Sequence, residues 1–470
     1  MLETKDKYSF WPVLFIGMGL LFQMAWVKGF FHDGYLYAAL GKHAALEGKW
    51  LVPHLSESVY NEFTHHPPFL FMLEGVFFKI FGVSYTSARI FGASFTLVTL
   101  GLIFFVLKKY MNKWAYFSSF IFILIPAIQK KSRFPNLDMC LMLLIFLAIY
   151  KIYSAIENEK NKDWWIAGLL FGLSLLIKGP IALLILPAIF IYLIVTKKLK
   201  VLKNMNSWSG LIFGLLIFGL WPLLLKINDK FYIFEDYLKM VFLETGVKAR
   251  GVESNNPFLY FVFLFKQCAP WFAISIYLLV QWCRKATIHN YVKLNIIFMF
   301  NFLVIMSIPK FKYSHYIIPV YPSMAIISGY FLSSLKSKWI ESAPKFLNNL
   351  GMTAIMALLI FPLTTKVRRD SIIHDYIETK AKEVDKKEWL IVDASYPYFS
   401  LANLVSFEFS GNVYNGDIQS ALEKINSPGQ IHILMSKENK ELFDKLRPDL
   451  ITPLIKHHYP SKNIFLIRKK

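Results

Sequence analysis

The chain has 470 residues, of which 55% are hydrophobic, 17% aromatic and only 18% charged, yet its net charge is +21. A mean hydropathy of +0.43 excludes an ordinary water-soluble globule. The three cysteines, Cys140, Cys268 and Cys283, all fall in apolar segments, which excludes a disulfide framework or a CxxC zinc site.

Apolar runs long enough to cross about 30 Å of hydrocarbon recur throughout. In chain order they fall near 9–30, 87–107, 113–129, 137–156, 164–177, 180–196, 208–226, 258–282, 292–308, 315–335 and 349–365. The expectation is a polytopic α-helical membrane protein of about eleven spans. The first run ends in Lys28-Gly29-Phe30-Phe31 without an A-x-A cleavage site, so it reads as an uncleaved span. Lys178-Gly179-Pro180 divides one long apolar stretch in two, with proline suited to the first turn of the second helix.

Alternate connections are short and dense in lysine: Lys5 and Lys7, Lys108 to Lys113, Lys160 and Lys162, Lys197 to Lys203, Arg284 to Lys293, and Lys336 to Lys345. The positive-inside rule makes these cytoplasmic, with the amino terminus inside and the tail outside. The basic excess is thereby explained without nucleic acid. The outer side then holds three longer pieces, 31–86, 227–257 and 366–470. In the first, DGYLYAALGKHAALEG has helical spacing at Leu36, Leu40 and Ala44. PPFLFMLEGVFFKIFG is amphipathic and suits the membrane surface. After residue 366 the character changes. EWLIVDA, QIHILMS and NIFLIRK read as strands, and DIQSALEKIN and ENKELFDKL as helices. The domain reading is a membrane domain over 1–365 and a small extracytoplasmic α/β domain over 366–470.

Two outer acids stand out. Asp33 starts the first outer helix, where a helix N-cap is the plain alternative. Asp138 sits in KKSRFPNLDMCLML at the outer start of another span, and an acid at membrane depth needs a partner or a task. Two carboxylates at one mouth would hold a divalent metal, or one would take a proton from a nucleophile. Outer cations run against the topological charge bias: Lys130, Lys131, Arg133, Lys178, Lys248, Arg250, Lys310 and Lys312. They suit a lipid phosphate, with lipid head groups as the plainer partner. Histidines also gather outside, including His43, His65, His66 and His315. Adjacent histidines in HHPP are weak evidence for a metal, and a phosphate-facing or structural role fits them better.

The order of D-G-Y-L-Y-A, L-E-G-K-W-L-V-P-H-L, H-P-P-F-L and F-K-I-F-G-V-S-Y-T-S-A-R resembles the first outer loop of GT-C class membrane glycosyltransferases. The similarity is to the ArnT-like group and the protein O-mannosyltransferases. L-L-I-K-G-P, Pro270-Trp271 and S-H-Y-I-I-P-V-Y-P-S-M-A extend it, in order, to about residue 335. The resemblance implies a GT-C type fold in a bacterial inner membrane. It implies transfer of a sugar from a polyprenyl (undecaprenyl) phosphate donor to a lipid A, protein or glycan acceptor at the periplasmic face, with inversion. It makes Asp33 the general base or acceptor-orienting acid, and Asp138 the second acid, holding acceptor or metal. His66, Arg133, Lys178, Arg250, Lys310 and His315 become candidates for the donor phosphate. The chain departs from many relatives at Gly34, where they carry a glutamate after the aspartate. A transporter or lipid flippase is the alternative, but the charges lie at one mouth rather than the midplane and no repeat symmetry is visible. A sensor or scaffold leaves the ordered motifs unexplained.

Overall fold

The computed structural model describes residues 7–23, 25–30, 32–56, 59–241, 252–253, 256–309, 311–360, 388–392, 403–408, 412–426, 431–448, 454–455 and 464–468. The helices begin with α1 (Phe10–Phe22), α2 (His32–Glu47), α3 (Phe69–Phe81), α4 (Tyr85–Lys108), α5 (Asn112–Leu124) and α6 (Pro126–Lys131). They continue with α7 (Leu137–Glu157), α8 (Asn161–Lys178), a 3-10 segment (Gly179–Leu184), α9 (Ile185–Val195), α10 (Met205–Ile227) and α11 (Phe231–Lys239). After β1 (Val252–Glu253) come α12 (Leu259–Cys283), α13 (Asn290–Ser307), β2 (Phe311–Lys312), a 3-10 turn (Ser314–Val320), α14 (Tyr321–Ser334) and α15 (Lys338–Ile360).

Among the described residues, seven stretches are long and apolar enough to cross a membrane: Tyr85–Lys108, Leu137–Glu157, Asn161–Val195, Met205–Ile227, Leu259–Cys283, Asn290–Ser307 and Ser314–Ser334. The sequence reading of about eleven spans differs at four places. α1 and α5 have only 13 residues each. The break at Lys178-Gly179-Pro180 lies inside one 35-residue stretch, because a 3-10 segment carries the chain through it. The run 349–365 falls on α15 and on residues beyond 360 that lie outside the described set.

Two packed units divide the chain. The first comprises Met1–Gln23, His65–Leu70 and Arg89–Leu363, and the second Met24–Thr64, Phe71–Ala88 and Thr364–Lys470. The second unit thus groups most of the first outer loop with the tail, where a division at 365/366 separates them.

In the first unit, glycines let α8 and α10 touch backbone to backbone. A Cβ on Gly168 would stand 1.9 Å from the Gly210 carbonyl oxygen, and one on Gly172 would stand 2.3 Å from that of Gly214. In a lipid solvent, apolar surface alone gives helices no reason to associate, so close contact between small residues supplies the attraction. The same bundle seats α14 on α5, where Trp114 Nε1 donates to the Ile326 carbonyl at 2.8 Å.

In the second unit, α2 and α3 also pack through small residues. A Cβ on Gly41 would lie 2.7 Å from Glu74 Cγ, so Gly41 makes the room that Glu74 fills. Glu74 is fully buried and neither of its carboxylate oxygens has a hydrogen-bond partner among the described residues. Burial therefore raises its pKa well above the usual carboxylate value, and it is held as the neutral acid. The tail contributes β3 (Glu388–Val392), a short helix α16 (403–408), β4 (Asn412–Gly416), α17 (Ile418–Asn426), β5 (Ile431–Ser436), α18 (Lys437–Leu446), β6 (Leu454–Ile455) and β7 (Ile464–Arg468). The five strands form one sheet in the order β4-β3-β5-β7-β6. β3 runs parallel to both β4 and β5, while β7 is antiparallel to β5 and β6. Alternation puts Leu390 and Val392 of β3 and Ile433 and Met435 of β5 on the buried face, against Ala421, Ile425 and Phe443 of the two helices.

Two outcomes test this packing. Gly168→Leu pushes a branched side chain into the Gly210 backbone, and overpacking of this kind costs about 1–3 kcal/mol. A lowered midpoint of thermal unfolding in detergent is expected. Glu74 has a folded pKa above its unfolded value, so the stability it allows is full below about pH 4.5 and is lost as pH rises through the folded pKa. Glu74→Gln should flatten that fall and leave the protein at least as stable as wild type at neutral pH, measured by thermal unfolding across pH.

Candidate functional site

The helix that carries Asp138 begins because Asn136 caps it. Asn136 Oδ1 accepts the Asp138 N–H at 2.8 Å. A carboxylate in the first turn also meets the positive end of the helix dipole. Asp138 is buried, with 3% of its surface exposed. Its counter-charge comes from the far end of another helix: Lys178 Nζ, at the end of α8, donates to Asp138 Oδ1 at 2.5 Å. Lys178 Nζ also stands 4.7 Å over the Tyr316 ring. His315 completes the cluster, with Nε2 4.0 Å from Asp138 Oδ2, an ionic contact only when the imidazole is protonated. That ring stacks on Tyr313 at 5.1 Å and meets Tyr316 edge-on at 4.9 Å.

Local backbone features put these groups at one level. α8 stops at Gly179, whose φ of +51° is a left-handed conformation that favours glycine. A Cβ there would fall 1.8 Å from the Tyr237 hydroxyl, so the residue after Lys178 must be glycine on both counts. The His315 turn is steadied by β1 and β2, which pair antiparallel through Val252 with Lys312 and Glu253 with Phe311. Lys312 is buried beside it, donating from Nζ to the Pro309 carbonyl at 2.6 Å.

The remaining sequence candidates divide. Asp33 lies half-buried in the first turn of α2, in the second unit. His66 is half-buried in the bend before α3. Arg133 serves the frame: its Nη2 donates to the Gln23 carbonyl at 2.6 Å, and its own carbonyl accepts from Arg89 Nη1 at 2.7 Å. Arg250 and Lys310 lie outside the described residues. The structure therefore gathers Asp138, Lys178 and His315. For a divalent metal the donor set is poor. Asp138 has an ammonium on it, and among the described residues no group of three His, Cys, Asp or Glu side chains could hold an ion.

Residues 65–221 match the family of dolichyl-phosphate-mannose-protein mannosyltransferases. An uncharacterized protein of Aquifex aeolicus is 27% identical over 333 residues, 69% of this chain and 64% of that protein. The undecaprenyl phosphate-alpha-4-amino-4-deoxy-L-arabinose arabinosyl transferase of Wigglesworthia glossinidia brevipalpis is 28% identical over 338 residues, 69% of this chain and 58% of that protein. The match thus spans about three fifths of these relatives' own length. The crystal structure of ArnT from Cupriavidus metallidurans bound to undecaprenyl phosphate superposes with a TM-score of 0.75 at 15% identity, covering 98% of both chains. The chain is thus similar in sequence to the ArnT-like and protein mannosyltransferase groups, and it shares the fold of ArnT.

By its apolar helices the chain is an integral membrane protein. Sequence reasoning found the acid and the lysine of its buried cluster separately and paired neither. It gave no role to Tyr316, although S-H-Y-I-I-P places that ring beside His315 in the sequence itself. Breaking a buried pair from one side leaves an uncompensated charge, at a cost of about 3–5 kcal/mol. Lys178→Met alone should therefore destabilise the protein strongly, and Asp138→Asn with Lys178→Met should recover most of the loss. A double-mutant cycle on thermal unfolding reads this directly.

Proposed function

We propose that the chain is an inner-membrane glycosyltransferase. It moves a sugar from a polyprenyl phosphate to an acceptor on lipid A, a protein or a glycan at the periplasmic face, with inversion. The amino terminus is cytoplasmic, about eleven segments cross the membrane, and the tail forms an α/β domain on the periplasmic side. The distribution of lysine among the short loops supports this orientation.

The observation that carries the reading is the buried Asp138–Lys178–His315 cluster where α7 begins and α8 ends. An acid and two basic side chains at a helix mouth suit a reaction in which an anion departs and a hydroxyl is oriented. The likeness to a fold solved with undecaprenyl phosphate bound supports the donor class. In this reaction the acceptor oxygen attacks the anomeric carbon from the face opposite the phosphate. The bond from that carbon to the phosphate oxygen breaks, and polyprenyl phosphate leaves with the electron pair. The acceptor's proton passes to Asp33. Asp138 orients the acceptor, and His66, Arg250, Lys310 and His315 are assigned to the donor phosphate, while Lys178 holds Asp138 and Arg133 holds the end of α1.

Two measurements test this. Mass spectrometry of the gently extracted protein should find polyprenyl phosphate, bare or sugar-bearing, and the added mass gives the sugar class. Bulk phospholipid alone, even after incubation with polyprenyl phosphate, contradicts the proposal. Asp33→Asn should reduce transfer by about 100-fold or more, the upper part of the range for losing a general base, with membrane insertion intact. Normal turnover in that variant removes Asp33 from the chemistry.

A further inference from the structure

α2, which carries Asp33 in its first turn, is held further along by a segment some 360 residues away in the sequence. α16 is only six residues long, yet Leu404, Val405, Ser406 and Phe407 are all buried. Phe407 inserts among three rings, 5.5 Å from Phe30, 6.5 Å from Tyr35 and 5.1 Å from Tyr85. Phe30 and Tyr35 bracket Asp33 in the chain, so the ring cluster grips the start of α2 from both sides. Further along α2, Lys42 is buried and its Nζ donates to the carbonyls of Ser406 at 2.8 Å and Phe407 at 3.1 Å. These carbonyls belong to the last turn of α16, where intrahelical partners run out and a cation is favoured.

His43 adds a third link. Its Nε2 lies 2.8 Å from Ser406 Oγ and its Nδ1 2.6 Å from Glu47 Oε1. A serine, histidine and glutamate in this order have the spacing of a nucleophile, its base and an orienting acid. Ser406 is only 1% exposed, however, and its Oγ is also within 2.9 Å of the Leu55 carbonyl. No substrate reaches a serine so enclosed, so the array is a latch rather than a second active centre. Burial lowers the His43 pKa, while its hydrogen bond to Glu47 pulls the other way.

We propose that α16 is a positioning element for Asp33, with Lys42 and Phe407 as its positioning residues. The inference rests on the role given to Asp33 above. A packed ring cluster fixes the angle at which α2 starts. A buried ammonium that donates to two carbonyls of α16 ties that helix to α2. The tail is then a part of the transfer machinery, and not an appendage to it.

The test uses the full-length protein with a polyprenyl-phosphate sugar donor. Lys42→Met and Phe407→Ala should each lower kcat per folded molecule by about tenfold or more, as small misplacements of reacting groups do. The donor KM should stay within about twofold of wild type, the mark of a change confined to the chemical step. Amide hydrogen exchange over the first turn of α2 should accelerate in both variants, and Lys42→Arg should restore both readouts. As a control, Lys424→Ala alters the tail at α17, where Lys424 stands 4.6 Å over Tyr414, and should leave kcat and exchange unchanged. Wild-type kcat in Lys42→Met and Phe407→Ala overturns the proposal, as does faster exchange without loss of kcat. If Lys42→Met fails to fold, Phe407→Ala and Ser406→Ala carry the comparison. A wild-type protein that transfers no sugar overturns the transferase reading; the contact of α16 with α2 is then judged by exchange alone, and unchanged exchange overturns that too.

Discussion

A carboxylate cannot stand alone in a region emptied of water, and the first unit is built around that constraint at Asp138. Its charge is met by Lys178 at 2.5 Å, with both side chains buried. The pair forces the start of α7 and the end of α8 to the same level. Gly179 turns the chain immediately after the lysine, and Tyr237 fills the space that a side chain there would need. The turn at Ser314–Val320 then brings His315 and Tyr316 to the same two charges. One ion pair thus coordinates three separate pieces of chain.

The two units share small-residue packing, and the second adds a further means of holding its elements together. Between α8 and α10 the contact is backbone against backbone, through Gly168, Gly172, Gly210 and Gly214. In the second unit, Phe407 packs among Phe30, Tyr35 and Tyr85, and polar side chains close the join. Close small-residue packing works where apolar surface gains nothing by leaving lipid. Aromatic burial works where water is the alternative.

What the sequence reveals follows the range of the interaction. Helix existence is a local property, and the apolar runs mark nearly every helix of the first unit. Helix length is not local. The run 9–30 yields only Phe10–Phe22, and the break at Gly179 interrupts one long stretch without ending it. Asp138 could be singled out because an acid among apolar residues is anomalous by itself. Its pairing with Lys178 could not, since 40 residues separate them and any outer lysine would have served. Arg133 shows the same limit. An arginine outside suggests an anion, but this one reaches the end of α1 at Gln23. Lys42 and Glu74 drew no notice, because a charged residue on an amphipathic helix looks solvated until its neighbours are known.

That ambiguity bears on how the mouth of the first unit would attract an anion. Asp138 and Lys178 together carry no net charge, so Lys178 contributes little field beyond its partner. A phosphate approaching this cluster meets a neutral pair, with His315 beside it. Net attraction must then come from cations lying further out. Lys131 stands near enough to act electrostatically on His315, and it sits 5.6 Å over the Phe134 ring. The ion pair that organises the helices and the charge that draws a lipid phosphate are therefore separate assignments. Counting outer lysines merges them, because the count cannot tell a lysine already facing an acid from one that adds to the field.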